Sequence, residues 1–475
     1  LTVKQEQHNT QRAQEVSRLF GCPRYQEHYG EILIHDAITF PVTGIVFVTG
    51  TSGSGKTSLL NTVFKTIPNT QMLEEFSNIE VSLVDAFCDE FKWSVAQCLR
   101  WLGCFGLAEA RVYLTSFRYL SEGQKYRARL ARLLAKNPSC VVIDEFLSVL
   151  DRQTARVVAF QFQKLCRMHG IAAIIASSHN DLIEPLGVDS LVLIHLNRKI
   201  DIKHFKDKKL SPCLSELNSL TVQEGTWDDY NALAPFHYMD NGSTKEFTSV
   251  VDQIRVIRLQ EQPIAVLLSG RPFPNILEKI PLFERINKSI IVRYRTIVHP
   301  SFRGIGLTKL LEPKLTSFTR VILAFSAMGK HFPFHLASGY KKIVHSRVRR
   351  LPEHDQLEKL LLSISCGNSP ELHQSVFADR FIKNLNQQQL QQLDPVIRSI
   401  LVQENLDYLL FLAKLIGKDI DSKTSLKYKR FFLSLLDPNK APLQGCHLSE
   451  ALHFPMEAFV KIVQGTYALA ISPSM

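Results

Sequence analysis

GTSGSGKT, Gly50 to Thr57, constrains this chain more than any other stretch, because it follows the apolar run GIVFV directly and opens the helical run SLLNTVFKTI. A strand that turns into a helix through glycines at 50, 53 and 55 lets successive backbone N–H groups face one point. The helix N-terminus adds positive potential there. Such a loop takes phosphate. Its expected nucleotide-binding residues are Gly50, Thr51, Ser52, Gly53, Ser54, Gly55, Lys56, Thr57 and Ser58, with Lys56 reaching the β- and γ-phosphates of ATP and Thr57 holding Mg²⁺.

Three later stretches extend this reading. CVVIDEF delivers Asp144 and Glu145 from an apolar strand, and two adjacent acids at a buried strand end are costly unless a cation or substrate uses them. Asp144 suits Mg²⁺ coordination and Glu145 suits polarisation of an attacking water. SSHN follows a further apolar strand and places His179 where an imidazole reaches the γ-phosphate. Between GTSGSGKT and CVVIDEF lies LSEGQ, Leu120 to Gln124. Strands are expected at EILIHDAITF, GIVFVTG, IEVSLVDAF, SCVVIDEF, IAAIIASSH and SLVLIHL, with helices at KYRARLARLLAKN and RQTARVVAFQFQKLCRMHG. That alternation predicts an α/β fold with a mostly parallel sheet.

The ordered set GTSGSGKT, LSEGQ, CVVIDEF, SVLD and SSHN resembles the ATP-binding-cassette (ABC) ATPases over Tyr25 to Asn197. The resemblance implies a P-loop ATPase domain over 1–200 that forms a head-to-tail homodimer with two shared ATP sites. Ser121 and Gly123 correspond to the signature's γ-phosphate contacts, and Asp151 to the acid that communicates across the dimer. The family's glutamine after the middle strand has no clear match; VSLVDAFCDE offers Asp85 or Asp89 instead. Tyr29 either stacks on adenine or packs as a surface aromatic.

A charged stretch, NRKIDIKHFKDKKLSP, marks a domain boundary, after which strands are expected at LTVQEG, VVDQIRVIRL, PIAVLLSG, SIIVRYRTIV and RVILAFSA. In VHPSFRGIGLTKLL a strand ends in a Pro turn and a basic, Gly-containing loop opens a helix, a geometry that presents N–H groups to a pyrophosphate. The stretch resembles motif A of the GCN5-related N-acetyltransferases (GNATs), over Leu220 to Val344. That implies a GNAT-like α+β domain at 201–350 with acetyl-CoA held by Val298, Arg303, Gly304, Ile305, Gly306, Leu307 and Thr308. Thr308 stands where the family has Gly or Ala. Gly339 and Tyr340 match the family's closing Gly-Phe pair, and His335 stands at the position of its Tyr general acid. A histidine donates a proton near neutral pH, and packing is the competing role. Arg293 and Arg295 suggest an anionic substrate or a solvated strand face.

From Leu351 strand signals vanish, and 351–475 reads as an all-helical C-terminal domain that binds a protein partner. A chain of 475 residues exceeds one core. Its 56 Lys and Arg against 45 Asp and Glu give +11, which favours DNA or RNA. No apolar run approaches the roughly 20 residues of a membrane helix. The first residues lack a signal-peptide core, so a cytoplasmic protein is expected. Nine cysteines without a C-x-x-C pair read as reduced thiols. The expected function is an ATP-gated acyltransferase that clamps nucleic acid. The alternative is an ATP-dependent clamp or sensor with a degenerate GNAT module.

Overall fold

The computed structural model describes residues 2–3, 10–20, 30–31, 44–76, 78–195, 199–205, 212–214, 220–237, 248–312, 321–326, 340, 342–347, 352–364, 387–435 and 466–471. They fall into two compact units: Leu1–Ser219 with Pro300–Ile305, and Leu220–His299 with Gly306–Met475.

In the first unit a six-stranded sheet runs in the order Thr70–Met72, Cys140–Ile143, Ala172–Ala176, Ile45–Gly50, Ser190–Ile194, Ile200–His204. The first five are parallel and the last is antiparallel. Strands buried on both faces read as continuous apolar runs, and Ile45, Phe47, Val141 and Ile143 are accordingly sealed from solvent. Helix Lys56–Thr66 buries Leu59, Leu60 and Val63 against Val46, Val48, Val142 and Ile174. Helices Glu122–Ala135 and Arg152–His169 form as the periodicity predicts.

Three expectations need correction or fall outside view. IEVSLVDAF is not a strand: Leu83–Phe91 is a helix, started by Ser82, whose hydroxyl accepts the Asp85 N–H, and it buries Leu83, Ala86 and Phe87 at i, i+3 and i+4. Asp85 thus closes a helix cap, and Asp89 is exposed one turn on. The stretch expected to mark a domain boundary contains strand Ile200–His204, which pairs with Ser190–Ile194, so the first unit runs past the expected boundary at 200. EILIHDAITF lies outside the described residues except for Glu31, and so does Tyr29.

The second unit holds a seven-stranded sheet in the order Lys342–Arg347, Thr466–Ile471, Val321–Ser326, Ile290–Val298, Gln262–Gly270, Val251–Leu259, Val222–Glu224. Only the pairing of Ile290–Val298 with Val321–Ser326 is parallel. Helices Pro352–Ile364, Gln387–Leu415 and Ser422–Leu435 form as expected, but the C-terminal region is not all helical, since Thr466–Ile471 is a strand of this sheet. Leu406, Leu409, Leu412 and Phe432 share one core with Phe283, Val292 and Leu323. The expected boundary at 350 therefore falls inside a single compact unit. DRFIKNL lies outside the described residues.

Candidate functional site

Three adjacent parallel strands, Cys140–Ile143, Ala172–Ala176 and Ile45–Gly50, release their loops at the same edge of the sheet. In open α/β sheets ligands bind at the carboxyl ends of the strands. Asp144, Glu145, Ser177 to His179 and the glycine-rich loop all leave from that edge.

The loop needs its glycines. A Cβ on Gly50 would stand 2.4 Å from the Ile194 carbonyl oxygen and 2.9 Å from Ser54 Oγ, and Gly53 and Gly55 hold φ of 78° and 105°, a left-handed region that L side chains occupy only with strain. Thr51, Ser52 and Gly53 are exposed, whereas Ser54 is 3% exposed and among the described residues its hydroxyl has no hydrogen-bond partner. Lys56 Nζ donates to the carbonyl oxygens of Gly50 at 2.7 Å and Thr51 at 2.9 Å. A buried orphan hydroxyl, an ammonium resting on carbonyls and an open loop are what a bound phosphate would complete.

Thr57 Oγ1 donates to Asp144 Oδ2 at 2.6 Å. Among the described residues no three His, Cys, Asp or Glu side chains form a metal cage. A divalent cation between these two oxygens would rely mostly on phosphate and water, which suits Mg²⁺. Asp144 Oδ1 accepts the Glu145 N–H at 2.9 Å. Glu145 is exposed, and both it and Leu147 have positive φ, 47° and 58°. Two non-glycine residues in that region store strain and persist only where neighbours over-determine them. Here the Phe146 N–H bonds Ala176 O at 2.8 Å, the Leu147 N–H bonds the Tyr126 phenol at 3.1 Å, and both side chains are fully buried.

The backbone N–H of His179 donates to Ser177 Oγ at 3.2 Å, and Thr49 Oγ1 donates to Asn180 Oδ1 at 2.8 Å. Arg152 grips Asp181 with two bonds of 3.1 and 2.6 Å, and Arg156 reaches Asp181 O and Glu184, each at 2.9 Å. These bonds pin the segment after His179 to the helix capped by Asp151, whose carboxylate accepts the Thr154 N–H at 2.9 Å. Thr49, Gly50, Thr51, Ser178, Asn180, Leu193, Ile194 and His195 line a cleft of ≈ 690 Å³ beside the loop, a size that suits a small ligand.

LSEGQ forms a capping box. Ser121 Oγ accepts the Gln124 N–H and Gln124 Oε1 accepts the Ser121 N–H at 3.0 Å, with Ser121 exposed. A Cβ on Gly123 would stand 3.2 Å from Leu150. Sequence reasoning missed two supports of this helix. Tyr126 ties it to the strained turn, and burial pushes its phenol up to about 12. Arg127, 7% exposed, donates to Gly123 O at 3.2 Å and Gly106 O at 3.3 Å, and burial pushes its guanidinium down to about 10. A buried arginine three residues after a surface motif carries no sequence signature of its role.

In the second glycine-rich loop, Val298 ends its strand opposite Ala265. Gly304 and Gly306 have φ of 85° and 92°, and a Cβ on Gly306 would meet open space. Leu307 is buried in the five-residue helix Leu307–Leu311, and Ile305 and Thr308 are half-buried. Arg303 pairs with Glu109 at 2.9 Å inside the first unit. Arg293 is buried against Glu312 at 3.2 Å, and Tyr340 donates to the same carboxylate at 3.1 Å. Arg293 therefore does not sit on a solvated strand face. His335 and Gly339 lie outside the described residues.

No family model matches the sequence. Among curated proteins it is 28% identical to the energy-coupling factor transporter ATP-binding protein EcfA1 of Clostridioides difficile, over 29% of this chain and 50% of that protein. It is 37% identical to the lipoprotein-releasing system ATP-binding protein LolD of Zymomonas mobilis, over 17% of this chain and 34% of that one. It is 31% identical to the methionine import ATP-binding protein MetN of Xylella fastidiosa, over 25% and 33%. The chain thus spans half or less of the length of these relatives. Among solved structures, a dimeric post-hydrolysis state of the ATP-binding cassette MJ0796 with ADP and Pi aligns at TM-score 0.32 and 17% identity, over 39% of this chain and 95% of that one.

Proposed function

We propose that this chain, which carries an ABC-type ATPase domain, hydrolyses ATP with Mg²⁺ as a homodimer and couples that cycle to a GNAT-like second unit acting on nucleic acid. The observation that carries the ATP reading is the 2.6 Å contact of Thr57 with Asp144 beside a phosphate-ready loop. Lys56 and the loop N–H groups bind the phosphates, and Thr57 and Asp144 hold the cation. Glu145 orients and polarises the water from its fixed turn, and His179 donates to the γ-phosphate. Ser121, exposed at a helix N-terminus with its own O–H free of the cap bond, and Gly123 close over ATP held by the other copy. Asp151 sits where the two copies signal to each other.

The test is ATP turnover of the full chain. Lys56→Ala is expected to abolish nucleotide binding. Glu145→Gln is expected to keep ATP and Mg²⁺ binding while slowing hydrolysis by about 10²-fold or more, and to accumulate an ATP-bound dimer on a sizing column. A Glu145→Gln chain that turns over ATP at the wild-type rate refutes this assignment.

For the second unit, the left-handed Gly304 and Gly306 and the open space at Gly306 support an acetyl-CoA pyrophosphate cradle running from Val298 to Thr308. His335 is the proposed proton donor. The ion pair of Arg303 with Glu109 favours a second reading, in which the GNAT-like fold is a recognition module, since the loop's cation is already engaged. Calorimetry of acetyl-CoA against the full chain and Gly306→Glu separates the two. Heat that the variant abolishes supports acyl transfer; no heat from the wild type supports the clamp.

A further inference from the structure

Helix Ser422–Leu435, SKTSLKYKRFFLSL, buries one side in the core of the second unit, through Phe432 with Tyr428 and Phe431 partly buried beside it. Its outer side carries Lys423, Lys427 and Arg430, all exposed. Positions i, i+4 and i+7 form one stripe along about 10 Å of helix. Lys429 on the same helix, Lys414 in the last turn of helix Gln387–Leu415 and Lys418 in the connection between the two helices are exposed as well. Among the described residues none of these six cations has an ion pair.

That is unlike the basic residues of helix Glu122–Ala135 and its C-cap, where Arg129, Arg132 and Lys136 are matched by Glu75, Glu90 and Glu74. Around Ser422–Leu435 the nearby acids in sequence are Asp419, Asp421 and Asp437, the last of which lies outside the described residues. Asp421 is engaged at the helix start, where its carboxylate accepts the Thr424 N–H at 2.6 Å, a bond that holds its pKa below the usual range. Uncompensated like charges on one short helix repel each other, and a polyanion removes that repulsion.

An anionic membrane is the other polyanionic surface. Binding one requires an apolar helix face to sink into the acyl boundary, and here the aromatic face is already consumed by the protein core. Among the helix's described side chains only Leu426 and Leu433 are exposed apolar ones, at 49% and 50% exposure. A cationic helix stripe is accommodated by the wide major groove of B-form DNA, whereas the major groove of duplex RNA is too deep and narrow. We propose that Lys423, Lys427 and Arg430 form a sequence-independent docking surface for the phosphate backbone of double-stranded DNA. The assignment deepens the reading of nucleic acid as the macromolecular partner and rests on it.

The experiment measures anisotropy of a short labelled DNA duplex with the full chain over a range of salt. Variants K423Q/K427Q/R430Q and K423E/K427E/R430E are compared, with thermal melts and ATP turnover alongside. Removing three phosphate contacts is expected to lower the slope of log affinity against log salt by about 2.7, with ATP turnover unchanged. If charge reversal prevents folding, the glutamine variant decides. A wild-type slope in the glutamine variant overturns the helix assignment alone. Absence of DNA binding by the wild type overturns it together with the nucleic-acid reading, as does binding to phosphatidylserine vesicles in place of DNA. Equal loss of slope on an RNA duplex overturns the choice of DNA.

Discussion

Ser121 caps a helix and, in the proposed function, also contacts phosphate, two roles that a single substitution would confuse. Its oxygen caps a helix while its O–H remains free to donate. Ser121→Ala loses both, at about 1 kcal/mol of helix stability. Ser121→Asp keeps the cap but brings a carboxylate toward phosphate, so its melt should match the wild type while ATP turnover falls at least about tenfold. Wild-type turnover in the Asp variant would leave Ser121 with its capping role alone. Asp229 in the second unit carries a pH signature. Burial alone would raise its carboxyl pKa, yet the Thr226 N–H at 2.7 Å and the Arg258 fork at 3.1 and 2.6 Å outweigh it and hold the carboxyl below the usual range. A depressed folded value means stability that is present above the ordinary carboxylate pKa and is lost as pH falls through the folded one. Asp229→Asn should cost about 2–4 kcal/mol at neutral pH and flatten the acid side of the melting curve.

Local constraints decide which elements can be read directly. The glycine-rich loop after Gly50, the strand before Asp144 and the helix after LSEGQ are legible because glycine geometry, buried parallel strands and a capping box each leave a local pattern. Leu83–Phe91 was misread because an apolar run flanked by polar residues satisfies both periods. The Ser82 cap and the i, i+3, i+4 spacing favour a helix, while the β-branched Val81 and Val84 favour a strand. Strand Ile200–His204 was hidden by charge, since an edge strand has half or less of its surface to bury and carries lysines against unwanted pairing. The turn from Asp144 to Leu150 was legible in its acids and illegible in what holds it. Tyr126 supplies that hold from 21 residues earlier. Tyr126→Phe leaves the Leu147 N–H buried without an acceptor, an expected loss of about 1–3 kcal/mol in chemical melts. ATP turnover should fall while nucleotide affinity stays, because the variant frees the turn that aims Glu145 and leaves the loop intact.

The second unit is built from distant parts of the chain, which no local pattern reports. Leu409, with no exposed surface, packs with Phe283, Val292 and Leu323. Leu409→Ala should cost about 3 kcal/mol, and a chain cut before Gln387 should leave residues 220–350 insoluble or unstructured; a well-dispersed amide spectrum from that fragment would refute this dependence. Strand Thr466–Ile471 lies between Val321–Ser326 and Lys342–Arg347, antiparallel to both. During synthesis both neighbours emerge more than a hundred residues before the strand that joins them. The nascent chain must hold two strands with open edges throughout that interval, when unpaired edges recruit other chains. Its yield in a cell should therefore depend on chaperone supply and translation speed more than on final stability.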